Sequence, residues 1–233
     1  IGYLMAISYT KFDIHKFILE EILSKGFAPK IKDICLKYSS KDSEVVEKLL
    51  ELQSYHGVVL HPQNHEIWAI HPFSTSPTNY LIKTSKHKLW SNCAWCSLGA
   101  SHLINEDVDI FGTLGGEEKR VKVTIKNGEL ENENLVVHFP IKMKIAWENV
   151  IHTCSMMHFH KSESDVKNWC ERHGFELGYV QPISKIWEFS KEWYGSHLNH
   201  DWKKWSIEEA IRIFKKHGLD GPIWSLETDE GRF

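Results

Sequence analysis

The order in which helical and strand-like periodicities follow one another constrains this chain most. Between Lys11 and Ile70 three helical segments come first. His15 to Ser24 carries Phe17, Ile18, Ile22 and Leu23 at helical spacing, and Gly26 ends it. Pro29 opens a second segment, Lys30 to Tyr38. The Ser39 to Ser43 stretch offers N-caps for a third, whose apolar face is Val45, Val46, Leu49, Leu50 and Leu52, with Gly57 as the stop. Val58-Val59-Leu60 and Glu66 to Ile70 then alternate like strands around a His61-Pro62-Gln63-Asn64 turn. Three helices followed by a two-stranded hairpin describe a winged-helix-like unit.

Downstream the pattern is strand-rich but not a βαβ alternation. His71 to Thr78 reads as a linker-like or mouth-lining loop. Asn79 to Lys83, the residues near Trp90, Asp107 to Ile110, Arg120 to Lys126 and Leu135 to Phe139 read as strands, with turns at Gly115-Gly116 and Asn127-Gly128. Cys93 to Ile104 reads as a helix, and Val150 to Phe159 as a buried strand carrying Cys154. Three more helices follow: Ser162 to His173, Ile183 to Tyr194, and Ser206 to His217, which opens on a capping box. The expected class is α+β. A winged-helix-like unit over 5–75 precedes a mixed or antiparallel sheet domain flanked by helices over 76–233.

Hydrophobic residues make up 42 % of the 233, enough for a packed core. A formal charge of −3 without long single-sign runs argues against a nucleic-acid surface over the whole molecule. The third helix, where a winged-helix protein would read DNA, carries Lys41 and Lys48 against Asp42, Glu44, Glu47 and Glu51. Phosphates would repel it, so a lid packed on the second domain is the expected role. Met5 reads as the natural start, with Ile1 to Leu4 a remnant ahead of it. No basic start runs into an apolar stretch, and no segment approaches the ~20 apolar residues of a membrane span. A cytoplasmic protein without membrane or nucleic-acid partners is expected.

Five cysteines, an odd count without a secretory signal, suit reduced thiols. Cys35 and Cys170 read as plain core or helix-face residues. Cys93 and Cys96 stand at i and i+3 at a helix start, where the N-terminus favours a thiolate. Cys154 comes from a distant segment. A lone Cys-x-x-Cys is weak evidence: no second pair completes a zinc ribbon, and the strands do not support a thioredoxin-like unit. His158 and His160, flanking Phe159, read as packing residues, and Tyr80, Trp90 and Trp95 as core aromatics.

Cys93-Ala94-Trp95-Cys96-Ser97-Leu98 resembles, without a gap, the Cys-Ala-Leu-Asp-Thr-Leu nucleophile segment of the organomercurial (alkylmercury) lyases. Thr153-Cys154-Ser155-Met156-Met157-His158-Phe159 is similar to the context of that family's second cysteine, and Trp169 continues the likeness. The resemblance runs from about Lys11 to Tyr194, leaving Trp193 to Trp224 without a counterpart. It implies protonolysis of a carbon–mercury bond, with Cys93 and Cys154 gripping the metal. Cys96 stands where the known lyases have an acidic Asp, so it would act as proton donor or third ligand. A second register sets Cys96 in the nucleophile's place and leaves Gly99 where the acid belongs. The resemblance implies no cofactor beyond a soft metal such as mercury bound as substrate or product. The implied partners are a small organometallic substrate and cellular thiols. Two other functions remain open: a thiol-based soft-metal binding protein without turnover, and a metal-responsive regulator, which the acidic third helix disfavours.

Overall fold

The computed structural model describes residues 8–131, 134–226 and 232–233. The expected start at Met5 lies outside them. Helix α1 (Lys11–Lys25) begins where Thr10 and Asp13 cap each other's backbone, and it ends at Gly26, whose φ of 86° is open to glycine without strain. Helices α2 (Ile31–Tyr38) and α3 (Asp42–Ser54) complete a three-helix layer. Ile14, Ile18 and Leu19 of α1, Ile34 of α2, and Val45, Leu49 and Leu52 of α3 are all fully buried, so the 3.6-residue period does place the apolar faces inward.

Strands β1 (Val59–Leu60) and β2 (Ile67–Ile70) form the expected antiparallel hairpin. The hairpin does not stand free. β2 also pairs with β3 (Phe73–Ser74), which pairs with β5 (Lys88–Ser91), itself paired with β4 (Tyr80–Lys83). After helix α4 (Ala94–Ile104), strands β6 (Val108–Thr113), β7 (Arg120–Lys126) and β8 (Glu129–Leu130) extend the same sheet. Its order is β1-β2-β3-β5-β4-β6-β7-β8, antiparallel throughout. Strands therefore run continuously across the sequence boundary at residue 75.

Beyond strand β9 (Val136–Phe139) the chain departs from expectation. Residues 150–159 do not form one strand. They form helix α5 (Val150–Ser155), and only Phe159–His160 is extended, as β10. The Asn149 side chain accepts the His152 N–H at 3.0 Å and starts the helix, overriding the strand preference of Val150 and Ile151. Cys154 is thus a helical residue. Helix α6 (Glu163–His173) and strand β11 (Tyr179–Pro182) follow, and β10-β9-β11 make a second, antiparallel sheet. One parallel bridge, Leu114 to Phe159, links it to the large sheet. Helices α7 (Ile183–Tyr194) and α8 (Ile207–Lys216) close the chain. All eight α-helices among the described residues combine with antiparallel sheets in an α+β fold.

Helix α7 packs directly on α4. At Gly99 an added Cβ would lie 2.0 Å from Tyr194 Cδ2. Only a residue without a side chain lets the Tyr194 ring sit there.

Candidate functional site

Each thiol is delivered by backbone geometry. β5 ends at Ser91, and the side chains of Ser91 and the following Asn92 donate to the Pro72 and Phe73 carbonyls at 2.9 Å each. This fixes the exit of the strand, and Cys93 becomes the N-cap of α4. Its Sγ accepts the Cys96 N–H at 3.2 Å. The Ala94 N–H donates to the Met157 carbonyl at 3.2 Å, and the Tyr80 hydroxyl donates to the same carbonyl at 3.2 Å. Those two bonds tie the turn after α5 to the start of α4 and to β4, and so bring Cys154 to Cys93 and Cys96. All three thiols are buried, at 0 %, 1 % and 6 % exposure for Cys93, Cys96 and Cys154.

The three do not face the same space. Cys96 and Cys154 line a cavity of about 40 Å³, room for a few water-sized groups, and Cys93 is not among its lining residues. His71, in the loop between β2 and β3, supplies the third polar atom of the rim. Its Nε2 is 3.4 Å from Cys154 Sγ, and Nε2 and the sulfurs of Cys96 and Cys154 lie within 4.8 Å of one another. The Tyr194 hydroxyl is 3.4 Å from Cys96 Sγ. Trp95, Trp147, Trp193 and Phe233 stand in the apolar wall beside Met143, Val150 and Met157, and Lys204 and His197 also line the cavity. Trp95 belongs to the cavity, whereas Tyr80 is a core residue that bonds His158 at 3.1 Å. Cys35 and Cys170 lie apart, Cys35 beside Asp42 and Cys170 in the small cluster around Val166 and Trp169. His158 and His160 both pack their rings on Trp169.

The charges in this space are unequal. Burial pushes the Cys93 thiol well above its ordinary range, and the neighbouring thiols with burial do the same to Cys154. Burial acts on Cys96 as well, but the Cys154 and Cys93 thiols, the His71 ring and the Tyr194 hydroxyl outweigh it and hold Cys96 well below the usual thiol range. One buried pocket sustains one thiolate with two thiol donors more readily than two anions. Burial lowers His71 and so keeps its imidazole neutral. Burial also brings Lys204 down to about 7.

His71, Tyr194, His197 and Lys204 were not legible as site residues. Each is a single side chain from a separate segment, without a spacing signal. His71-Pro72, a histidine fixed beside a proline directly after an apolar strand, is the nearest thing to a cue.

The family profile of the alkylmercury lyases matches residues 73–195 of this chain, which include all three thiols and Tyr194. No curated protein matches it in sequence. Among solved structures it is similar to one described as the mercury-bound form of MerB2. That similarity has a TM-score of 0.65 and 20 % identity, covering 81 % of this chain and 91 % of the other. At that identity the likeness speaks for the fold, and the profile speaks for descent. With more than half its residues matched, the chain belongs to the alkylmercury lyase family.

Proposed function

We propose that the protein is an organomercurial lyase that cleaves carbon–mercury bonds by thiolate-assisted protonolysis. The observation that carries the reading is the convergence of three buried thiols, all within the family-matched residues, with two of them lining one small cavity. Soft thiolates select mercury over the hard cations of the cell, and an apolar wall suits an alkyl or aryl group.

The cavity favours the register in which Cys96 attacks. In R–Hg–X the Cys96 thiolate displaces X⁻ and forms R–Hg–S. Cys154 then adds its sulfur from across the cavity and gives up its thiol proton, leaving mercury with two sulfurs and R. The C–Hg bond breaks as a proton reaches carbon, giving R–H and a mercury bis-thiolate. Cys93, outside the cavity lining, steadies the Cys96 thiolate by hydrogen bonding. Cellular thiols remove the metal by exchange. The assay is incubation with phenylmercury acetate and excess thiol, with benzene as the readout. Benzene above the protein-free rate is expected, and its loss in Cys96→Ser and Cys154→Ser ties it to this site.

A second reading, a soft-metal binding protein without turnover, is favoured by the donor set itself. The thiols of Cys96 and Cys154 with the His71 imidazole make a set that could hold Hg(II), and among the described residues no carboxylate lines the cavity to serve as acid. Mercury bound without benzene release would select it.

A further inference from the structure

The lyase reading needs a proton donor, and the cavity holds none of the expected kind. In one register Cys96 replaces the acid, and the low-lying Cys96 thiolate is then the wrong protonation state for a donor. In the other register Gly99 stands in its place, and the space a side chain would take is filled by the Tyr194 ring. Among the described residues no Asp or Glu lines the cavity.

One cationic side chain does. Lys204 lies in the segment between α7 and α8, beyond the family-matched residues, and is 8 % exposed. Its Nζ sits over the Trp147 ring, 4.2 Å from the centroid. Its carbonyl accepts from Arg232, which ties the segment to the C-terminus. Among the described residues no carboxylate pairs with the ammonium, although a buried lysine is ordinarily paired. The groups facing it are His15, His56, His71 and His197, all of which its charge disfavours as cations, and Cys96 and Cys154. Among the described residues, the anions that raise its affinity for a proton are the thiolates of Cys96 and Cys154.

We propose that Lys204 is a catalytic residue, the counter-charge of the thiolate–mercury complex and the donor of the proton that reaches carbon. This rests on the lyase reading. Mercury bound by R and two thiolates is an anion, and a fixed ammonium in a dry cavity stabilises it as charge builds on carbon. The N–H bond of Lys204 breaks as C–H forms and C–Hg breaks, its electron pair staying on nitrogen. The proton that Cys154 loses on joining mercury restores the ammonium. The net reaction consumes one S–H and one C–Hg bond and makes one C–H and one S–Hg bond. A pKa near 7, the result of burial, suits a donor working at neutral pH.

The test compares Lys204→Met, which keeps length and removes charge, with Lys204→Arg, which keeps charge but holds its proton. Three readouts are taken: benzene from phenylmercury acetate, affinity for mercuric chloride, and the rate of cysteine alkylation by iodoacetamide at neutral pH. Lys204→Met should lose about 100-fold or more in benzene release, the scale of one general acid. It should hold mercuric ion within about tenfold and alkylate about tenfold more slowly, because the thiolate loses its counter-charge. Lys204→Arg should alkylate like the parent but release little benzene. Parent-like benzene release by both variants overturns the proposal. If the parent itself releases no benzene, the lyase reading has failed. The alkylation rates then decide the counter-charge: slowing confined to Lys204→Met supports it, and an unchanged rate overturns it.

Discussion

Gly99→Ala separates packing from helix propensity by its sign. In an unobstructed helix interior, alanine in place of glycine is worth about 1 kcal/mol of stability. Here the new Cβ would meet three ring atoms of Tyr194, the nearest at 2.0 Å. Ordinary contact begins at 3.4 Å, so the ring or the helix must retreat by about 1.4 Å. The Tyr194 ring is not a flexible tip: it is 2 % exposed and packed beside Trp95 and His197. Overpacking of this kind costs about 3 kcal/mol, the upper part of its usual range. The net expectation is a loss of about 2 kcal/mol, read as a thermal midpoint lower by roughly 4–8 °C. The displacement also pulls the Tyr194 hydroxyl from Cys96, so alkylation of the site thiols at neutral pH should slow. Differential scanning calorimetry on Gly99→Ala, Tyr194→Ala and the double variant makes a cycle in which alanine at 99 is harmless once the ring is gone. A rise in midpoint for Gly99→Ala alone would refute the packing argument.

Other expectations follow from the same geometry. Cys96→Asp places a carboxylate where the attacking sulfur stands and should release under about 1 % of the parent's benzene, a typical cost of losing a nucleophile or its base; a gain would make Cys93 the nucleophile and Cys96 the replaced acid. His15, stacked on Trp202 at 3.6 Å and brought down to about 3 by burial, and His158 and His160, each brought to about 4 by burial, stay neutral in the fold. Their stability contribution is complete above the unfolded value near 6.5 and is lost as pH falls toward 4, so urea unfolding at pH 5 should show about 2 kcal/mol less per ring than at pH 7. His15→Gln should flatten that dependence. Fluorescence anisotropy with duplex DNA at low salt should show no tight binding, since α3 presents Glu44, Glu47 and Glu51; tight, salt-sensitive binding would restore the regulator.

The sequence disclosed the chemistry better than the surroundings. Cys93, Cys96 and Cys154 stood out because thiols are few and their neighbours carry the family likeness; α6 and α8 were legible from caps and glycine stops, and α4 and α7 from their apolar residues. Cys154 was assigned to a strand because Val150 and Ile151 favour extension, while a single Asn149 hydrogen bond decides for a helix. That Cys96, not Cys93, faces the cavity depends on the rotation of one helix, which i and i+3 spacing leaves undetermined. Tyr194 ends a plainly amphipathic helix, but its seat on Gly99 is a contact between segments 95 residues apart. Lys204 carries no signal in the sequence, because burial of a lysine is a property of the assembled fold.

The two sulfurs that face each other belong to different bodies. Cys96 rides on the helix that leaves β5 of the eight-stranded sheet, and Cys154 precedes β10 of the three-stranded one. Between the sheets, among the described residues, run the Leu114–Phe159 bridge, the Gly115 N–H to Phe159 carbonyl bond at 2.9 Å, and the two bonds onto the Met157 carbonyl. A mercury ion held by both sulfurs is therefore a cross-link across this seam, where an extra bond constrains most. Amide exchange at Ala94 and Gly115 would slow when the ion is seated and quicken when thiols carry it away, so the seam itself reports whether the site is full.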